Sequence, residues 1–205
     1  MTPIRLPRRA LVAALCATPF VARAQANIVA RVEAYLNAMT TFEARFLQIA
    51  QNGGSAMGTA MIWRPGRMRF DYDAPEPTLL VAANGQMMLL DRELKQPTIV
   101  PIGSTPLSVL LRNPIRLSGD VTLTGVEESG GFSRLTVNRT NSPAEGRITL
   151  VFATNPMELR QWLVVDAQAR ETRVTLTQIR TGVRFDPALF EMNDPRFLER
   201  ETANR

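Results

Sequence analysis

From Met57 to Asp91 the chain alternates short apolar runs with turn residues. Met57–Arg64, Arg67–Tyr72, Thr78–Ala83 and Gln86–Asp91 are rich in Met, Leu, Val, Ile and aromatic side chains. Pro65-Gly66, residues 73–77 and Asn84-Gly85 separate them. Such runs predict strands joined by tight turns. Asn-Gly between apolar runs predicts a type I′ hairpin, because both central residues need positive φ. Pro65-Gly66 suits the two central positions of a type II turn. Strand parity sorts Gly58, Ala60, Ile62 and Arg64 to one face and Met57, Thr59, Met61 and Trp63 to the other. The pattern leaves open which face is interior. The small Gly58 and Ala60 favour close approach of a helix on the Arg64 face.

The flanking segments extend this reading. Ile28, Val32, Tyr35, Leu36 and Met39 recur every three or four residues, which predicts an amphipathic helix over Asn27–Met39. Thr41–Gln51 follows as a strand, with Phe42, Ala44 and Phe46 alternating. After a short strand at Thr98–Pro101, Thr105 reads as a helix N-cap and Pro106 as its first residue. Leu107, Leu110 and Leu111 give that helix one apolar face, and Asn113-Pro114 ends it. Five more strands follow: Val121–Glu127, Phe132–Arg139, Arg147–Ala153, Leu159–Asp166 and Thr172–Ile179. Asp186-Pro187 starts a short helical turn. So few helices cannot cover both faces of a sheet of roughly eleven strands. The expected fold is α+β, mainly β: an antiparallel meander that curls into either a barrel or a deeply curved sheet, with one face lined by helices and the other wet.

Composition narrows the chemistry. Arg5, Arg8 and Arg9, the apolar run Ala10–Val21 and the Ala22-Arg23-Ala24 site read as a signal peptide spanning residues 1–24. Residues 25–205 then form one domain, with Ala24-Gln25-Ala26 as a second candidate cleavage site. An ordinary Sec leader is favoured over a twin-arginine one, because no motif for a cofactor follows. Leu15 before Cys16 argues against lipidation. The leader holds four arginines and no acids, so 20 of the 24 basic side chains remain against 19 acidic ones. A nearly neutral domain gives no electrostatic reason to expect nucleic acid. No cysteine remains after cleavage, so no disulfide is expected.

The chain contains no histidine. That removes the commonest general base and the commonest zinc ligand. Gly53–Thr59 mimics phosphate-loop spacing but lacks the lysine and leads into a strand. Asp71 and Asp73 read as a solvated edge beside a turn more readily than as a carboxylate pair. Arg67 and Arg69 alternate with Met68 and Phe70, which fits an outward-facing arginine row. No catalytic residue, metal site or cofactor is expected, and the chain is not read as an enzyme.

Trp63-Arg64-Pro65-Gly66-Arg67-Met68-Arg69-Phe70-Asp71-Tyr72, Pro77–Ala82 with Asn84-Gly85, Gln96-Pro97-Thr98 and Thr105–Leu111 together carry a family resemblance. They resemble the periplasmic outer-membrane lipoprotein carriers, the LolA family, and the likeness runs from about Tyr35 to Phe197. It implies a periplasmic, monomeric carrier whose curved antiparallel sheet of about 11 strands forms an unclosed half β-barrel, with an N-terminal helix and short lid helices over its concave apolar face. Such a carrier takes acylated lipoproteins from an inner-membrane ABC transporter, shields their acyl chains in a hydrophobic cavity and passes them to an outer-membrane receptor lipoprotein. It implies that Arg64 is an interior residue clamping a lid formed by Leu107, Leu110 and Leu111. Read from the residues alone, Arg64 could equally be a strand-end arginine with its stem on Trp63 and its head in water. The cavity is assigned to Ile62, Phe70, Leu79, Val81, Met87 and Leu89, and a partner-contacting rim to Pro65 and Met68. The methionines fit a pocket for variable acyl chains, though ordinary core filling explains them as well. A lipid- or glycolipid-binding sensor or shuttle of the same fold is the alternative.

Overall fold

A computed structural model describes residues 18–192 of the 205-residue chain, with side-chain surroundings from Gln25 onward. The leader assigned to residues 1–24 lies largely outside the described residues, as does everything after Met192. Helix α1 (Thr18–Ala38) begins before the expected Asn27. It buries Ile28, Val32 and Leu36, with Met39 just beyond its end, in one stripe against the sheet. Each such side chain contributes roughly 1.5–3 kcal/mol when fully buried.

Eleven strands form one antiparallel sheet. The N-terminal half is a meander of β1 (Thr41–Ala50), β2 (Ser55–Trp63), β3 (Arg67–Tyr72), β4 (Thr78–Ala83), β5 (Gln86–Asp91) and β6 (Gln96–Pro101). The C-terminal half is β7 (Val121–Ser129), β8 (Phe132–Arg139), β9 (Gly146–Thr154), β10 (Met157–Asp166) and β11 (Glu171–Thr181). The halves join where β1 pairs with β11, which leaves β6 and β7 as unpaired edges. The sheet is therefore a half barrel. The Asn84-Gly85 turn has both residues at positive φ (50° and 77°), as type I′ demands.

Register fixes the inner face. Phe42, Ile62, Met68 and Ala82 stand in one cross-strand row, and Ala44, Ala60, Phe70 and Leu80 in the next. Across the β1–β11 seam, Phe46 faces Leu176, and Trp162 pairs with both Val174 and Leu150. α1 and the segment before β7 plug one part of this concavity. Asn37 exchanges two hydrogen bonds with the Ile115 main chain (2.9 and 2.7 Å), and Glu33 accepts from the Leu117 N–H at 2.7 Å. The Tyr35 hydroxyl accepts from the Leu159 N–H (3.2 Å), where a bulge displaces β10.

Two expectations about the faces change. Gly58 does not make room for a helix: a Cβ there would meet the Asp71 carbonyl oxygen at 2.1 Å and the Phe46 ring at 2.7 Å. The outer face is also not uniformly wet. The segment after β11 doubles back across β3 and β4, where the 3₁₀ turn Pro187–Phe190 is capped by the Asp186 carboxylate. Phe190 stacks edge-on against Trp63 (5.8 Å) and Phe185 (5.7 Å). Under this strap Leu79, Val81, Met88 and Leu90 form a second small core with Met192. Arg69 is buried there, pairing with Asp71 at 2.7 Å and donating to the Leu189 carbonyl, while Arg67 lies 4.4 Å over the Trp63 ring.

Candidate binding groove

The concave face opens into a groove of about 610 Å³. That volume falls within the roughly 300–1,000 Å³ of typical ligand sites. Met68, Phe70 and Tyr72 of β3, Leu80 of β4, Met87 and Leu89 of β5 and Val100 of β6 form one wall. Trp162 and Val164 of β10 with Val174 of β11 form the other. Leu107 reaches in from the 3₁₀ helix Pro106–Leu111, and the β10–β11 turn edges the mouth. There Arg170 donates to the Asp166 carboxylate at 2.8 Å. The alternation of each strand supplies the apolar lining, since inward positions repeat every second residue.

Tyr72 and Gln48 are a polar pair within this lining. The Tyr72 hydroxyl donates to Gln48 Oε1 at 2.8 Å. Burial pushes the Tyr72 phenol up to about 12, against the opposing effect of the Gln48 bond.

Arg64 lies next to this groove but does not line it. It is 4 % exposed, so its charged head is interior and the water-facing alternative is excluded. The guanidinium donates to the main-chain oxygens of Leu36 and Met39 at the end of α1. A longer bond of 3.5 Å reaches the Arg112 oxygen just after the 3₁₀ helix. Burial lowers its pKa, yet the carbonyl acceptors suit a guanidinium that stays charged. Gly66 N–H adds a bond to the Leu111 oxygen (2.9 Å), so the β2–β3 turn grips both covering elements.

The other residues singled out in the sequence divide by strand parity. Phe70, Met87 and Leu89 line the groove, Leu89 with 45 % of its surface exposed. Ile62 is fully buried in the main core and does not line it. Leu79 and Val81 belong to the opposite face: their cross-strand partners are Leu90 and Met88, and they pack beneath the C-terminal strap. Their neighbours Leu80 and Ala82 take the inner positions instead. Met68 is 0 % exposed, so it is a groove floor and not a rim, whereas Pro65 is exposed. The expected lid helix is a single 3₁₀ segment. Leu110 and Leu111 are core residues, Leu107 lines the groove, and Thr105 donates back to the Ile102 oxygen (2.9 Å) instead of capping. Asp71 and Asp73 are each engaged by arginines: Arg69 and Arg92 hold Asp71, and Arg45 holds Asp73.

The structure thus combines a half barrel, a groove lined mainly by apolar side chains on its concave face, and a buried arginine that bonds the end of α1. The chain belongs to the LolA family: the model for outer membrane lipoprotein carrier protein LolA matches residues 37–193. It is 27% identical over 197 residues to an outer-membrane lipoprotein carrier protein of Chromobacterium violaceum, covering 92% of this chain and 94% of that one. It is 26% identical over 187 residues to its counterpart in Methylococcus capsulatus, covering 86% and 88%. Among solved structures, a LolA superfamily protein of Nitrosomonas europaea aligns with a TM-score of 0.46 and 6% identity, over 81% of this chain and 96% of that one. Among the described residues no helix is long and apolar enough to cross a membrane.

Proposed function

We propose that this protein is a periplasmic carrier that shields the acyl chains of lipoproteins in its concave groove. The observation that carries the reading is the apolar groove of about 610 Å³ on the inner face of a LolA-family chain. After removal of residues 1–24, the monomer would receive cargo from an inner-membrane ABC transporter and deliver it to an outer-membrane receptor lipoprotein. The work is binding and release, without catalysis.

Magnitudes constrain how it operates. Each buried CH₂ contributes roughly 0.8 kcal/mol. Full burial of several long chains would exceed any affinity from which release is practical. The groove is open along one side, which limits how much of each chain it covers. Closure of the plug would oppose retention further. Arg64 acts as that clamp by bonding the end of α1 and the Arg112 oxygen, which favours the closed, empty form. The exposed Pro65 marks the end of the molecule that meets the donor or acceptor.

The test is release from membranes. Purified protein is incubated with vesicles that hold an acylated lipoprotein, the transporter and ATP. A soluble one-to-one complex that passes its cargo to outer membranes is the expected result. Binding of free lipid with no soluble lipoprotein complex would replace this reading with a lipid sensor or a different lipid shuttle.

A further inference from the structure

Among the strand residues that line the groove, Gln48 and Tyr72 form a polar pair with hydrogen-bonding capacity to spare. Tyr72 and Phe70, with Met68 beyond them, face inward along β3 and line the same groove. Gln48 projects from β1 on the same face, where its register partners are Ala56 and Val174. The Tyr72 hydroxyl and Gln48 Oε1 satisfy each other at 2.8 Å. No oxygen of the described residues accepts from Gln48 Nε2. Rotating the amide by half a turn changes the bookkeeping but not the outcome, because Nε2 would then donate to the phenol oxygen and free the phenol proton. In either arrangement a donor faces the groove.

A purely hydrocarbon ligand makes no use of such a donor, and burying it unpaired is unfavourable. A carbonyl oxygen is its natural complement. Every acyl chain attached to a headgroup carries one, in an ester or an amide, at the boundary between its polar and apolar parts. Gln48 and Tyr72 stand at the corresponding boundary. On one side is the Asp166–Arg170 turn with its paired charges, and on the other the apolar Phe70 and Met68. Tyr72 and Met68 are four residues apart on one strand face, about 13 Å.

We propose that Gln48 and Tyr72 form a carbonyl-binding subsite that fixes how deep an acyl chain enters. The pair donates to the ester or amide oxygen, the hydrocarbon runs along Phe70 toward Met68, and the headgroup leaves past the β10–β11 turn. This inference rests on the acyl-chain reading above and assigns its register.

Two glycerolipids of equal chain length separate the two ideas. Dioctanoylglycerol carries ester carbonyls, and its dioctyl diether lacks them. Binding of each is followed by the fluorescence of Trp162, which lines the groove. The diester is expected to bind about tenfold more tightly, a ratio that corresponds to ~1.4 kcal/mol. Gln48→Leu and Tyr72→Phe should each bring that ratio close to one. Equal affinities in the unaltered protein, or a preserved ratio in both variants, would overturn the subsite and leave the acyl-chain reading standing. Binding of neither lipid would overturn both.

Discussion

Arg64 donates from the end of β2 to the main-chain oxygen of Met39, so the β2–β3 turn holds the last residues of the helix that plugs the sheet. The same guanidinium serves the Leu36 oxygen. Both acceptors are carbonyls at a helix C-terminus, where partners are missing and a cation is favoured. Arg64→Leu removes charge-assisted bonds of roughly 1.5–3 kcal/mol each and leaves their acceptors buried. A loss of about 2–4 kcal/mol in urea unfolding is expected. The variant should also bind cargo and release it slowly, because the closed state loses its support. Transfer to an acceptor at the unaltered rate would remove Arg64 from the release step.

Gly58 is a packing position. The Phe46 ring occupies the space where its side chain would lie, and it stacks there on Phe70 (4.8 Å) and Tyr72 (5.0 Å). The other obstacle, the Asp71 oxygen, is backbone and cannot swing away. Gly58→Ala should therefore destabilise by about 1–3 kcal/mol, the usual range for overpacking. Thermal unfolding of the variant at the unaltered temperature would mean that the sheet yields at this point.

Strand positions were legible because turn residues punctuate them. Arg67–Tyr72, Thr78–Ala83 and Gln86–Asp91 match the observed strands residue for residue. The faces were legible only where one of them is polar. β4 reads Thr-Leu-Leu-Val-Ala-Ala, apolar on both sides, because one face meets the groove and the other the C-terminal strap. Periodicity carries no sign in such a strand, which is how Leu79 and Val81 were grouped with Met87 and Leu89. Pairing parity with Ile62 would have placed Met68 inside. The strap itself gave no periodic signal. Asp186-Pro187 marked its helical turn, as observed, but only the aromatic residues Phe185 and Phe190 hinted that the turn packs back on the sheet. The Gln48–Tyr72 pair joins residues 24 apart on non-adjacent strands, so only register reveals it.

Asp71 makes acid stability testable. Burial raises its pKa, but bonds from Arg92 and Arg69 outweigh that and hold the carboxyl below its ordinary value. A lowered folded pKa stabilises above the unfolded value of about 3.9 and is lost as pH falls through the folded one. Asp71→Asn should be less stable than the unaltered protein near neutral pH, and the gap should shrink below about pH 4. Urea midpoints at several pH values measure it. A gap that stays constant into acid would exclude the Asp71 carboxylate as its source.

Tyr72 gives the opposite limb. Its folded pKa of about 12 lies above the ordinary phenol value, so the neutral form is the one the fold prefers. Its contribution is complete below about pH 10 and disappears as pH rises toward the folded value. Tyrosinate absorbance should therefore lag behind that of a free phenol. Tyr35 is raised as well, by its burial, so the difference between the unaltered protein and Tyr72→Phe isolates the residue. An increment near pH 10 in that difference would place Tyr72 in water.

Leu80 and Val81 are adjacent in sequence and face opposite sides of β4, so they separate binding from stability. Leu80 lines the groove beside Phe70, whereas Val81 is fully buried with Leu79 and Met88 under the strap. Leu80→Gln puts an amide where hydrocarbon would lie, and burying it unpaired costs roughly 1–3 kcal/mol. Affinity for a dialkyl glycerolipid should fall about tenfold or more. Val81→Ala removes two methyl groups from a closed cluster and should lower stability by about 1–2 kcal/mol, with affinity unchanged. Lipid titration and urea unfolding of both variants resolve the four quantities. The reverse pattern, with affinity lost in Val81→Ala and kept in Leu80→Gln, would put the binding surface beneath the C-terminal strap and not in the concave groove.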